Sequence, residues 1–164
     1  MPIARKEYLK IVREIRNLVP NIKIVSDDDI VEGDNGCYCE TDNTIYIRSL
    51  DRYRSVKMCR HVLFHELSHW AAKSGRGGRV KKFATGNKVL DRHNNYALEE
   101  IIVDKVAFSL CLELKSAIDK RNHQKYVNRF VKYLTILDAD IEHYIENKCK
   151  SLKSFIKNYK KNLT

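Results

Sequence analysis

Residues 61–73 read HVLFHELSHWAAK. Within them His65, Glu66 and His69 are spaced His-Glu-x-x-His. On a helix, two histidines four residues apart project from one side, one turn above the other. Two imidazoles so placed grip one zinc ion, with the glutamate between them close to a water that the ion holds. The plain alternative is three polar residues on an ordinary helix. Val62, Leu63, Leu67 and Ala71 give the stretch an apolar face, and imidazoles set into such a face need partners. With 6 histidines in the chain, the pattern arises by chance once in roughly 80 chains of this kind. A second signal is therefore required.

That signal lies downstream. Catalytic zinc takes three protein ligands and keeps one position open. Residues 94–108, NNYALEEIIVDKVAF, carry Glu100 and Asp104 four apart on one helical face. Glu100 can serve as the third ligand, giving one zinc per chain. Asp104 can accept a hydrogen bond from the outward nitrogen of a ligand histidine and fix its tautomer. Acids near a helix start also favour the helix dipole, which by itself accounts for Glu99 and Glu100. It does not account for Asp104, set among Val103 and Val106. His93 and Glu99 are the rival third ligands.

Around these two stretches the pattern alternates between helix and short strand. Ile3, Leu9, Ile11, Val12, Ile15 and Leu18 recur at helical spacing over 3–18, and Pro20 with Asn21 ends that helix. Residues 22–26 suit a short strand. The acidic stretch 27–36 reads as a turn, without the spacing of a calcium loop. Residues 37–48 alternate about Asp42-Asn43 as a hairpin. Cys37 and Cys39 in it lack a second cysteine pair and read as plain strand residues. The first ligand helix is expected over 51–74, capped by Gly75. Four of the six glycines fall in 74–94, a loop. Further helices are expected over 95–116 from an Asn95 cap, 122–137 and 139–160. The fold class is α+β in one domain, 1–164: an N-terminal helix and strand (1–36), a metal-site core (37–116) and C-terminal helices (117–164). A small antiparallel or mixed sheet packs on a helix bundle.

The net charge is +10. Residues 1–50 hold 7 basic and 9 acidic side chains, 51–114 hold 12 and 7, and 115–164 hold 12 and 5. Such a field favours anionic partners, and the sign excludes mimicry of DNA. The loop contributes Lys73, Arg76, Arg79, Lys81, Lys82, Lys88 and Arg92, a docking patch for an acidic protein or a nucleic-acid backbone. The C-terminal helices offer a second basic surface. No apolar run approaches the ~18 residues of a membrane helix, and residues 1–20 lack the core of a signal peptide. A cytoplasmic protein of a bacterial cell is expected.

HELSHW followed by YALEEIIVDKVAF resembles the metallopeptidase domain of ArdC-type antirestriction proteins, zincin-like peptidases of phages and plasmids. His65, Glu66, Leu67, His69 and Trp70 match the first motif. Tyr96, Ala97, Glu99 and Glu100 match the second, with Asp104 where that family usually has Glu. Glu100 and Asp104 also follow the E-x-x-x-D helix of gluzincins. The resemblance covers roughly 37–160 and implies a zincin-like fold. It implies a zinc metallopeptidase acting on a protein substrate, or a DNA-binding antirestriction module with structural zinc. The ArdC-type proteins bind single-stranded DNA through a separate N-terminal domain. About 36 residues precede the hairpin here, so any DNA binding is expected from the basic surface.

In the peptidase reading His65, His69 and Glu100 hold zinc, Glu66 is the general base, and Tyr96 is the candidate oxyanion stabiliser. Trp70 is expected in the core. The strand at 44–48 is expected beside the metal helix, as an edge for substrate backbone.

Overall fold

The computed structural model describes residues 3–26, 35–73, 80, 82–115 and 120–163. Helix α1 (Arg5–Leu18) leads into strand β1 (Lys23–Ser26). Strands β2 (Gly36–Cys39) and β3 (Thr44–Ile47) follow, then helix α2 (Val56–Lys73). Helices α3 (Lys88–Glu113), α4 (Lys120–Val131) and α5 (Ala139–Asn158) complete the chain, with short 3-10 turns over 50–52 and 159–163. This is the expected α+β arrangement: among the described residues, five helices and a three-stranded mixed sheet. No helix among the described residues is long and apolar enough to cross a membrane.

The hairpin forms as its alternation predicts. β2 and β3 are antiparallel with Cys37 opposite Tyr46. Asn43 takes φ 54° in the turn, a left-handed conformation that asparagine tolerates better than most residues. β1 joins β3 in parallel, giving the order β1-β3-β2. β3 is therefore central and β2 is an outer strand, which corrects the expectation that 44–48 is the edge.

α2 is the centre of the molecule. It packs against α1, α3, α5 and both hairpin strands. From Cys59 to Ala72 all but two of its residues are buried, as a helix apolar on most sides must be. It begins later than expected because Ser55 caps it: Met58 N–H donates to the Ser55 hydroxyl oxygen at 3.1 Å. Its expected Gly75 cap and the acidic turn over 27–34 lie outside the described residues. Trp70 is in the core as expected, 4% exposed and stacked on Phe155 of α5 at 5.5 Å between centroids. Buried Arg60 donates to both carboxylate oxygens of Glu14, at 3.1 and 3.2 Å, locking α1 to α2.

α3 corrects the sequence reading. It starts at Lys88, two turns before Asn95, because Asn87 is the cap and accepts from Leu90 N–H at 3.2 Å. Asn95 lies inside the helix and clamps the preceding loop. Its Oδ1 accepts from Lys82 N–H and Phe83 N–H, and its Nδ2 donates to Phe83 O. Lys88 and Arg92 thus belong to α3 rather than to the loop. α4 ends at Val131 rather than 137. The chain turns there so that Thr135 meets buried Asn94 in two hydrogen bonds, of 2.9 and 3.0 Å. α5 buries Ile141, Ile145, Leu152 and Ile156, which recur at helical spacing along one side.

Candidate metal centre

α2 and α3 pack against each other, and each presents two polar side chains four residues apart to the other. His65 and His69 come from α2, Glu100 and Asp104 from α3. The ligand atoms of His65, His69 and Glu100 lie within 4.8 Å of one another, and all three residues are buried. His65 Nε2 is 3.3 Å from Glu100 Oε2 and His69 Nε2 is 3.4 Å from Glu100 Oε1. Glu66 is 6% exposed and lines the same cleft, about 660 Å³ in volume.

The outward nitrogens are also accounted for. His69 Nδ1 donates to Glu99 Oε1 at 2.8 Å, and His65 Nδ1 faces Asp104 Oδ1 at 3.4 Å. Each imidazole therefore turns a carboxylate-supported Nδ1 away from the centre and its Nε2 inward, the arrangement of a metal-ligating histidine. Two neutral nitrogens and a carboxylate oxygen are the donor set that zinc and its divalent neighbours accept. On this chemistry the residues fit a metal ion.

Asp104 does more than the expected single task. It is fully buried and also accepts from His61 Nε2 at 2.6 Å and from His123 Nδ1 at 2.5 Å. Glu100 Oε2 likewise accepts from the Tyr126 hydroxyl at 2.8 Å. His61, His123 and Tyr126 are the site residues that the sequence reading missed. For His61 a signal existed, since His61, His65 and His69 form an unbroken ladder at four-residue spacing. Nothing local marks His123 and Tyr126, which reach the site only because α4 packs across α3.

Of the rival ligands, Glu99 is one residue round the helix and supports His69 from outside. His93 is exposed and packs edge-on against Tyr133, at 5.7 Å. Tyr96 is 58% exposed and lines the cleft, its ring against Phe130. The basic residues separate. Lys73 and Arg92 line the cleft. Lys88 borders an adjoining hollow with Arg92. Lys82 lies over the Tyr144 ring at 5.7 Å. Arg76, Arg79 and Lys81 lie outside the described residues.

On the opposite wall, Gly36, Cys37 and Tyr38 of β2 line the cleft. Gly36 permits a close approach: a Cβ there would stand 2.8 Å from Val62 Cγ1 and 3.2 Å from Glu66 Cγ. Any larger residue would push the outer strand away from Glu66.

Charge at the centre is finely balanced. Burial opposes ionisation of Glu100, but hydrogen bonds from His65 and His69 prevail and hold it well below the carboxylate range. Burial likewise opposes a charged Asp104, and hydrogen bonds from His123, His61 and His65 prevail. Burial disfavours a charged His65, yet hydrogen bonds to Asp104 and Glu100 push it up to about 10. His69 is raised too, its contacts with Glu100 and Glu99 outweighing burial. Burial and the Glu100 charge push the Tyr126 phenol up, so it stays a donor.

These shifts set a pH dependence for the metal-free protein. The histidine contribution to stability is full below the unfolded value of about 6.5. It is lost as pH rises towards about 10. The carboxylate contribution is present above about pH 4 and lost as pH falls towards the depressed native values. A metal ion competes with the same histidine protons. Added zinc should therefore raise the melting temperature more at about pH 8 than at about pH 6. Thermal melts with and without zinc at both pH values check this, and a pH-independent increment would contradict it.

A family model described as a zincin-like metallopeptidase matches residues 18–147, most of the chain. A comparison with curated proteins gives no match. Among solved structures, the antirestriction protein ArdC of plasmid R388, determined with Mn(II) bound, aligns with a TM-score of 0.66 and 18% identity. The alignment covers 96% of this chain and 54% of that one, so the chain spans about half the length of that protein. The likeness is one of fold. With the family match over most of its length, the chain belongs to the zincin-like metallopeptidase family.

Proposed function

We propose that the protein is a zinc-dependent metallopeptidase of the gluzincin type, hydrolysing peptide bonds of a protein substrate in the bacterial cytoplasm. The observation that carries this is the convergence of His65, His69 and Glu100 within 4.8 Å, in a cleft that Glu66 also lines.

Zinc held there would lower the pKa of a bound water and polarise the scissile carbonyl. Glu66 takes the water proton as general base and returns it to the leaving amine. Asp104 and Glu99 keep the Nδ1 protons of His65 and His69 in place, which reserves each Nε2 for the ion. Tyr96, on the cleft wall one turn before Glu100, is the donor assigned to the oxyanion. β2 offers the backbone beside which an extended substrate lies. Lys73 and Arg92 favour substrates with acidic side chains near the cleavage point.

Incubation of the zinc-loaded protein with a proteome-derived peptide library tests this reading. New termini are expected, and chelation should stop their appearance. A library unchanged by the loaded protein would overturn the proposal.

The second reading is a zincin-fold antirestriction or DNA-binding module with structural zinc. The antirestriction neighbour and the net charge of +10 favour it. In that case nucleic acid would bind through the basic loop and C-terminal helices. Salt-dependent retention of DNA that ignores Glu66→Gln is its expected signature.

A further inference from the structure

Beside the metal cleft, the first turns of α3 line a second hollow of about 550 Å³, made by Lys88, Val89, Arg92, His93 and Tyr96. The two spaces adjoin, since Arg92 and Tyr96 line both. Val89 is 81% exposed and Tyr96 58%, and apolar surface left open beside a cleft and rimmed by polar groups marks a contact site. Lys88 and Arg92 are exposed as well and stand one turn apart on the same side of the helix. Among the described residues neither has a carboxylate partner. Asp91, the acid of these turns, does not line the hollow. Its carboxylate accepts instead from Thr85 N–H, the Thr85 hydroxyl and Gly86 N–H, at 3.0, 2.7 and 3.1 Å. The hollow therefore combines apolar surface with two cations and has no acid in its lining.

We propose that this hollow is a specificity subsite: it takes an acidic side chain of the protein substrate several residues from the scissile bond, and Lys88 and Arg92 select it. This rests on the peptidase reading and gives it a substrate class. The register follows from geometry. At 1.5 Å per residue along a helix, Arg92 lies about 12 Å and Lys88 about 18 Å from Glu100. An extended peptide advances about 3.3 Å per residue, so a chain leaving the cleft over Tyr96 reaches the two cations about three to six residues from the cut. There Arg92 can meet a carboxylate through two parallel N–H donors, while the stem of a glutamate lies on Val89 and the Tyr96 ring. A nucleic acid fits less well. Its phosphates recur along the whole strand, and within the cleft they would meet Glu66, Glu99 and Glu100. A peptide carries its negative charge only where the cations stand.

The test gives one proteome-derived peptide library to the zinc-loaded protein and to its Lys88→Glu/Arg92→Glu variant, and reads the residues flanking each new terminus. Cuts by the wild type should be enriched in aspartate and glutamate about tenfold at one position three to six residues from the cut, the size expected of two exposed ion pairs. In the variant that preference should pass to lysine and arginine at the same position. Wild-type cuts with no acidic preference there, or an acidic preference that the variant keeps, would overturn the proposal and leave the peptidase reading standing. An uncut library would sink the peptidase reading, and the subsite with it. Binding is read separately on the zinc-loaded Glu66→Gln protein by fluorescence anisotropy. The probes are labelled alanine–serine peptides with two glutamates or two glutamines at either end, and a labelled oligothymidylate of the same length. A glutamate peptide should bind about tenfold more tightly than its glutamine counterpart. Equal binding of the two, or binding of the oligonucleotide alone, would overturn the proposal, the latter in favour of nucleic acid.

Discussion

Glu66→Gln should reduce peptide-bond hydrolysis by about 10²–10⁴-fold while leaving metal content and melting temperature close to those of the wild type. Glutamine has the same shape, so it fits the same space beside Gly36, where even a Cβ would stand 3.2 Å from Glu66 Cγ. It cannot accept a proton from water at neutral pH. Glu66 is not among the three convergent ligand residues, so the ion remains. Hydrolysis with and without the substitution, beside metal analysis of both proteins, checks the expectation. A variant as active as the wild type would remove Glu66 from the mechanism. Loss of both metal and activity would show that Glu66 supports the centre itself.

The second large effect is expected at Glu100. Glu100→Ala should weaken zinc binding by more than the roughly 10–100-fold that loss of an outer partner costs, because it removes one of three ligands. It also exposes an imbalance in the metal-free protein. Glu100 is 5% exposed and faces both His65 and His69, which its charge helps keep protonated. Removing one partner of a buried charged cluster costs about 3–5 kcal/mol. The metal-free variant should therefore melt well below the metal-free wild type. Chelator competition measures the first effect and thermal melts the second. Glu99→Ala is the natural comparison, since Glu99 meets His69 at Nδ1, on the side away from the three ligand atoms, and its loss should stay within the smaller range.

Most of the centre was legible because helical spacing is local. His65 and His69, and Glu100 and Asp104, each declare a shared face through a separation of four. Two apolar helices carrying such faces have good reason to meet. The same logic reveals His61, one more turn along the ladder. The start of α3 was not legible, because the glycine-rich stretch before it and the pair Asn94-Asn95 imitate a loop and a cap. Only the loop that folds back onto Asn95 shows why the asparagine sits inside the helix. The order of the strands was equally hidden. β1 pairs with β3 although β2 lies between them in sequence, and alternation within a strand says nothing of its neighbour. Tyr126 and His123 lie in a polar helix whose buried residues are Val127 and Phe130, so their role follows from packing alone.

The most direct test of the centre is the metal content of the purified protein, prepared without chelators and again after incubation with zinc. The account predicts one ion per chain, bound at His65, His69 and Glu100 and visible there by anomalous scattering. A protein that carries no metal and takes up none, or an ion seated elsewhere, would contradict it.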